Sequence, residues 1–143
     1  MTDESTDPRP LPLPDELTEF FWDGARAGRL LIQRCRACSR FQYPPDVVCI
    51  HCQSLDLDRV PVSGQATLYS FCVVDRAFNA GFVNALPYVL GLVELVEQPG
   101  LRMIANVIGA DAGALEVGMS LEVTFEDRGE IVMPQFRPAG VLP

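Results

Sequence analysis

The sequence predicts a mainly β chain with one N-terminal helix, in which a knuckled, cysteine-bearing segment precedes a five-stranded barrel. Three observations carry that reading. One stretch near the start has a helical apolar period, two C-x-x-C pairs follow it, and five β-rich runs fill the second half. With 143 residues, 48% of them apolar and 21% charged, the chain suits one ordinary domain or two small modules sharing a core.

Residues 1–13 are rich in proline and acid and repeat no apolar period, so they read as a flexible or extended arm. A helix over 14–29 follows. Pro14 suits a first helical turn, Asp15 and Glu16 carry the charge that a helix N-terminus favours, and Gly28 is a natural stop. Leu17, Phe20, Phe21 and Gly24 make its apolar stripe, with Trp22 off that stripe. Residues 30–62 lose the helical period, and short strands at Leu30–Arg34 and Leu55–Val60 frame a loop region of cysteines and prolines. In the last segment, 63–143, the β-rich runs are Ala66–Val74, Tyr88–Val96, Leu101–Ile108, Leu121–Phe125 and Ile131–Phe136. A short Ala/Gly stretch, 111–118, joins the third to the fourth. Five strands with a short helical connection at that place are the outline of an OB-type barrel, although a sandwich fragment gives a similar pattern.

The formal net charge is -8, and all 11 basic residues are Arg. Without Lys there is no Schiff-base chemistry and no P-loop lysine. The acidic balance argues against a protein built to grip nucleic-acid phosphates. Charge is also uneven along the chain: residues 1–23 sum to -6, residues 24–45 to +5 and the remainder to -7. The basic stretch, which includes Arg34, Arg36 and Arg40, is either a solvated face or a surface for an anionic partner such as the phosphates of coenzyme A. No apolar run approaches the ~20 residues needed to cross a bilayer. Met1–Thr6 lacks the basic start and apolar stretch of a signal peptide, so a cytoplasmic chain with reduced thiols is expected.

Cys35-Arg-Ala-Cys38 and Cys49-Ile-His-Cys52 are two C-x-x-C pairs ten residues apart. Each such turn places two sulfurs along one edge of a tetrahedron, and two facing turns complete a closed S4 site of the kind zinc prefers. Iron fits the same donor set, but nothing in the sequence suggests electron transfer. Disulfides call for another compartment, and redox activity calls for a helix after a strand, which neither pair has. Cys72, in the middle of a β run, reads as a small core residue. His51 would compete with its flanking cysteines for one tetrahedral edge, so a solvent-facing place in the knuckle is expected. As the only His, with no G-x-S-x-G or H-E-x-x-H around it, it leaves triad and zincin chemistry without parts, and no catalytic residue is assigned.

Several flanking motifs are more specific than the cysteine spacing. They are Phe21-Trp22-Asp23-Gly24, Gly28-Arg29-Leu30-Leu31-Ile32-Gln33-Arg34-Cys35, Tyr43-Pro44-Pro45, the run from Gly64 to Phe71, and Pro134-Gln135-Phe136-Arg137-Pro138. In this order, over residues 14–138, the chain resembles the acyl-CoA-associated zinc-ribbon and OB-fold proteins. That resemblance implies N-terminal helices, a rubredoxin-like zinc ribbon and a C-terminal OB-fold barrel, with structural Zn2+ at Cys35, Cys38, Cys49 and Cys52. It also implies a small, non-catalytic partner of a thiolase-like large subunit, two small chains with two large ones. Such partners accompany thiolases, hydroxymethylglutaryl-CoA synthase assemblies and the retro-aldolases of steroid side-chain breakdown, sometimes fused to a hydratase. The ligand of the complex would be a coenzyme A thioester.

Residues placed to meet a partner or acyl-CoA are Trp22, Arg34, Arg36, Arg40, Phe78 and Phe82. Trp22 equally well packs under the ribbon, and the two phenylalanines, on the long loop 75–87, either cap the barrel or meet the partner. A nucleic-acid-binding module is the alternative reading, since OB barrels and zinc ribbons both serve there. A self-sufficient acyl-CoA-binding or hydrolysing unit ranks third.

Overall fold

The computed structural model describes residues 7–140. Helix α1, Glu19–Arg26, leads into a three-stranded antiparallel sheet of β1 (Leu31–Cys35), β2 (Phe41–Gln42) and β3 (Leu57–Pro61), ordered β2-β1-β3. The second half forms β4 (Gln65–Val74), β5 (Tyr88–Leu95), β6 (Arg102–Val107), β7 (Ser120–Asp127) and β8 (Val132–Pro138). These five close in the order β4-β5-β6-β8-β7, sealed by a parallel contact at Val107 and Phe136. The closed barrel, with a short 3-10 turn at Ala112–Ala114 between β6 and β7, is the OB arrangement and excludes the sandwich fragment.

The helix starts later than the sequence suggests. The Asp15 side chain accepts hydrogen bonds from the Leu17 and Thr18 backbone N–H groups at 3.0 and 2.9 Å, closing a turn ahead of the first helical residue. Phe20 and Phe21 bury 93–95% of their surface and join one continuous core with Leu30 and Ile32 of the ribbon side and Leu68, Val93, Leu121 and Phe136 of the barrel. Trp22 is half-buried and meets Phe21 edge-on at 5.0 Å, while Tyr43 lies 5.7 Å from Phe21. Those rings tie the helix to the loop between the cysteine pairs.

In β5 every second residue, Val89, Gly91, Val93 and Leu95, points into the barrel. β4 does not keep such an alternation. A bulge between Leu68 and Ser70 inserts one residue, so that Ala66 and Leu68 face inward before it and Phe71, opposite Gly91, after it. Ser70 and Cys72 therefore lie outside, and Cys72 is exposed rather than a core residue. The part of the arm within the described residues, 7–13, is extended along the barrel rather than free of it.

At the entry to the barrel Gly64 has φ +80, and a side chain there would run into Val123, which donates its N–H to the Gly64 carbonyl at 2.8 Å. The two halves are joined by more than their core. Gln98, in the β5–β6 turn, clamps the Phe41 peptide of β2 from both sides. Its Oε1 accepts from Phe41 N at 2.8 Å and its Nε2 donates to Phe41 O at 2.9 Å.

Candidate metal centre

The two C-x-x-C turns have the same internal construction. Ser39 N donates to Cys35 O, and Gln53 N to Cys49 O, both at 2.9 Å. Cys35 N reaches Arg40 O at 2.9 Å, and Cys49 N reaches Ser54 O at 2.8 Å. Ser39 and Gln53, each four residues after the first cysteine of its pair, hold φ of 65° and 66°. Side chains rarely adopt that left-handed region, and the turn requires it at both places.

This construction aims backbone donors at sulfur. Cys38 N and His51 N lie 3.4 Å from Cys35 Sγ and Cys49 Sγ. The N–H of Cys38 is the main influence holding the Cys35 thiol down to about 6. Burial works against ionisation of Cys49, but the N–H groups of Cys52 and His51 outweigh it and lower that thiol too. Cys52 also accepts from Ser54 N, yet loss of water around its sulfur within the cluster and the three neighbouring sulfurs push it up to about 12. Four thiolates in one place need a cation among them.

All four sulfurs lie within 4.8 Å of one another. Cys35 Sγ is 3.6 Å from Cys52 Sγ and Cys38 Sγ is 3.7 Å from Cys49 Sγ, so the close pairs run between the two knuckles. Zn–S bonds of ~2.3 Å give a tetrahedron with edges of ~3.8 Å, so the cluster has the size an ion requires. Cys35 and Cys49 are buried, Cys38 is half-buried and Cys52 exposed. The donor set is closed, which fits a structural site rather than one that binds substrate. His51 stands outside it, its Nε2 directed to Phe41 O at 3.3 Å and its Nδ1 to Arg40 at 3.5 Å.

Behind the sulfurs lies a feature that sequence reasoning missed. Gln33 and Gln42 face each other across β1 and β2, and both are buried. Gln42 Nε2 donates to Gln33 Oε1 at 2.6 Å and to Val48 O at 3.1 Å, and Gln42 Oε1 accepts from Ile50 N at 2.9 Å. Gln33 in turn holds both backbone groups of Asp46, at 2.8 and 2.9 Å. The pair thus substitutes for strand pairing along the loop that delivers Cys49. The only trace in the sequence is a glutamine between Ile32 and Arg34 and another between Phe41 and Tyr43, settings that glutamines often occupy without being buried.

The remaining candidate residues scatter. Arg34 covers the Phe41 ring at 5.1 Å and donates to Ser39 O at 3.0 Å. Arg36 lies between Asp56 and Asp58, at 3.6 and 3.5 Å, and Arg40 sits beside His51. Phe82 packs on Tyr88 at 5.6 Å, whereas Phe78 is 92% exposed. The structure does not bring the arginines and the phenylalanines into one site with Trp22.

Comparison with known proteins agrees with this geometry. The model of the ChsH2 rubredoxin-like zinc ribbon domain matches residues 22–58, and that of the ChsH2 C-terminal OB-fold domain matches 59–126. The chain is 37% identical over 132 residues to a probable enoyl-CoA hydratase alpha subunit of Thermomonospora curvata. It is 36% identical over 110 residues to a 3-oxo-4,17-pregnadiene-20-carboxyl-CoA hydratase alpha subunit of Mycobacterium tuberculosis. These alignments take in 92% and 77% of this chain but only 40% and 34% of those longer proteins. Among solved structures, a chain of the Ltp2-ChsH2(DUF35) aldolase superposes with a TM-score of 0.81 at 35% identity, covering 90% of this chain and 99% of that one. A DUF35 protein of unknown function from Sulfolobus solfataricus, 17% identical, superposes with a TM-score of 0.59 over 86% of this chain and 85% of its own, and shares the fold. With its ribbon and barrel both matched in order, the chain belongs to the ChsH2-type zinc-ribbon and OB-fold family, DUF35.

Proposed function

We propose that this chain is a non-catalytic accessory subunit of an acyl-CoA-processing complex, in which it binds and supports a thiolase-fold partner. The observation that carries the reading is the correspondence with a chain of the Ltp2-ChsH2(DUF35) aldolase, which extends over 99% of that chain and 90% of this one. The hydratase alpha subunits it resembles are named for acyl-CoA substrates, one of them a steroid derivative. Retro-aldol cleavage or thiolysis in steroid side-chain or aromatic acyl-CoA degradation is the reaction class this suggests, carried out in the cytoplasm by two small and two large chains.

In this reading one Zn2+ at Cys35, Cys38, Cys49 and Cys52 is structural. When bound, it supplies the charge that keeps four thiolates together and fixes the ribbon. Gln33 and Gln42 hold the second knuckle in register, and the Gln98 clamp fixes ribbon to barrel. What the chain presents to its partner is then a rigid frame carrying a loop with Phe78 outward. Trp22 and Phe82 support that frame from within, and Arg34, Arg36 and Arg40 lie on the ribbon's outer side, where an acidic partner or the coenzyme A phosphates would meet them. The net charge of -8 weighs against the nucleic-acid reading.

Co-expression with a thiolase-like large subunit, followed by size exclusion and an aldol-cleavage assay on a steroid acyl-CoA, tests the proposal. Co-migration and activity that depends on both chains are expected. Separate migration, with a large subunit fully active by itself, would overturn it. Salt-sensitive binding of single-stranded oligonucleotides would favour the alternative instead.

A further inference from the structure

Barrels of this strand order bind extended ligands on the outer face of their second and third strands, beside the loop that joins the first two. Here that face belongs to β5 and β6, and the loop is 75–87. Leu90, Ile104 and Asn106 contribute to a groove on it, with Phe82 from the loop and Met133 from β8. The same groove is lined by Arg9, Pro10, Leu11 and Pro12. The chain's own arm therefore lies where another chain would be read.

Charge, shape and backbone chemistry all suit that contact. Arg9 bridges Asp7 at 2.6 Å and Glu126 at 2.9 Å. Arg128, whose side chain is 6% exposed, donates to the Asp7 carboxylate and to the Arg9 carbonyl, both at 3.1 Å. Gly81 lies under the arm, where any β-carbon would collide with the Pro8 carbonyl oxygen and come within 3.1 Å of Arg9 Cα. Pro8, Pro10 and Pro12 lack N–H groups and favour extended backbone, so the segment brings few backbone donors into the groove and docks with little ordering cost.

We propose that this groove is a docking site for an extended, proline-rich peptide and that residues 7–12 occupy it as a releasable strap. With the strap in place, the end of the β5–β6 face beside Phe82, Asn106 and Met133 is closed to other extended chains, while Ile104 next to it stays 64% exposed. Arg9 also walls one side of the adjoining cavity of about 430 Å³ at the barrel end, so lifting the arm opens both.

Arg9→Glu in the full-length chain removes the central pairing while leaving Gly81, Glu126 and Arg128 in place. Methyl NMR of Ile104 and Met133 then reports whether the arm has left, and a fluorescein-labelled peptide of sequence DPRPLPL serves as the probe in trans. Both methyl signals should shift in R9E and return toward their original positions as the peptide is added. Peptide affinity should be at least tenfold higher for R9E than for the unaltered chain, and Gly81→Val in the R9E background should abolish binding. Unshifted methyl signals in R9E, failure of the peptide to restore shifted ones, or equal binding to both chains would overturn the proposal.

Discussion

Replacing Gln42 with leucine isolates what the buried glutamine pair contributes to the metal centre. The two side chains are close in volume, so the change removes hydrogen bonds without opening a cavity. Three are lost: to Gln33 Oε1, to Val48 O and from Ile50 N. At about 1 kcal/mol of net stabilisation for each hydrogen bond, the closed loop loses about 3 kcal/mol. That loop carries Cys49, so the loss falls on the metal-bound form and corresponds to a zinc affinity about 100-fold weaker. Competition against a chromophoric chelator such as 4-(2-pyridylazo)resorcinol measures it directly, and Val47→Ala, at a neighbouring residue that is 70% exposed, serves as the neutral control. A Q42L chain that binds zinc within about threefold of the unaltered protein would refute the reasoning, because the glutamines would then fill space rather than hold the knuckle.

Further outcomes follow from the same geometry. Elemental analysis should find one zinc per chain and none after Cys49→Ser, and a chelator should collapse the amide signals of residues 31–61 while those of the barrel persist. Ser39→Gly should raise ribbon stability by about 0.5 kcal/mol in thermal melts, since relief of the left-handed φ exceeds the entropy that glycine adds to the unfolded chain. Phe78→Ala should leave the melting profile unchanged yet weaken association with the large subunit at least tenfold, as measured by calorimetry. Hydrogen bonds from Arg9 hold the Asp7 carboxyl well below its ordinary 3.8, assisted by Arg128. A depressed carboxyl stabilises the fold above its unfolded value and loses that effect as pH falls through its folded one. The arm's contact, followed by the Met133 methyl signal, should therefore be intact at pH 5 and weaken only below 3.8, and Asp7→Asn should remove that acid dependence.

Much of the chain was legible in advance because one physical requirement left a regular mark. Two thiolates on one tetrahedral edge need the C-x-x-C turn, so spacing alone located Cys35, Cys38, Cys49 and Cys52. Strands facing a barrel interior alternate, and the β runs fall within a residue or two of β4 to β8. Other features follow from contacts remote in sequence. The bulge after Leu68 inverts the faces of β4, so Cys72 lies outside although its surroundings look like core. Gln33 and Gln42 matter through the backbone of residues 46–50, and Arg128 through an arm about 120 positions away. Composition shows none of these, because the partners of a polar side chain leave no period.

The carbonyl of Phe41 receives Gln98 from the barrel turn and His51 from the second knuckle. One peptide unit is thus a hinge pin shared by the sulfur cluster and the five-stranded body. Without its ion, the molecule would keep an intact barrel but lose the ordered ribbon that this pin anchors. Zinc starvation would then accumulate a half-folded protein, cleavable within residues 31–61 and unable to assemble.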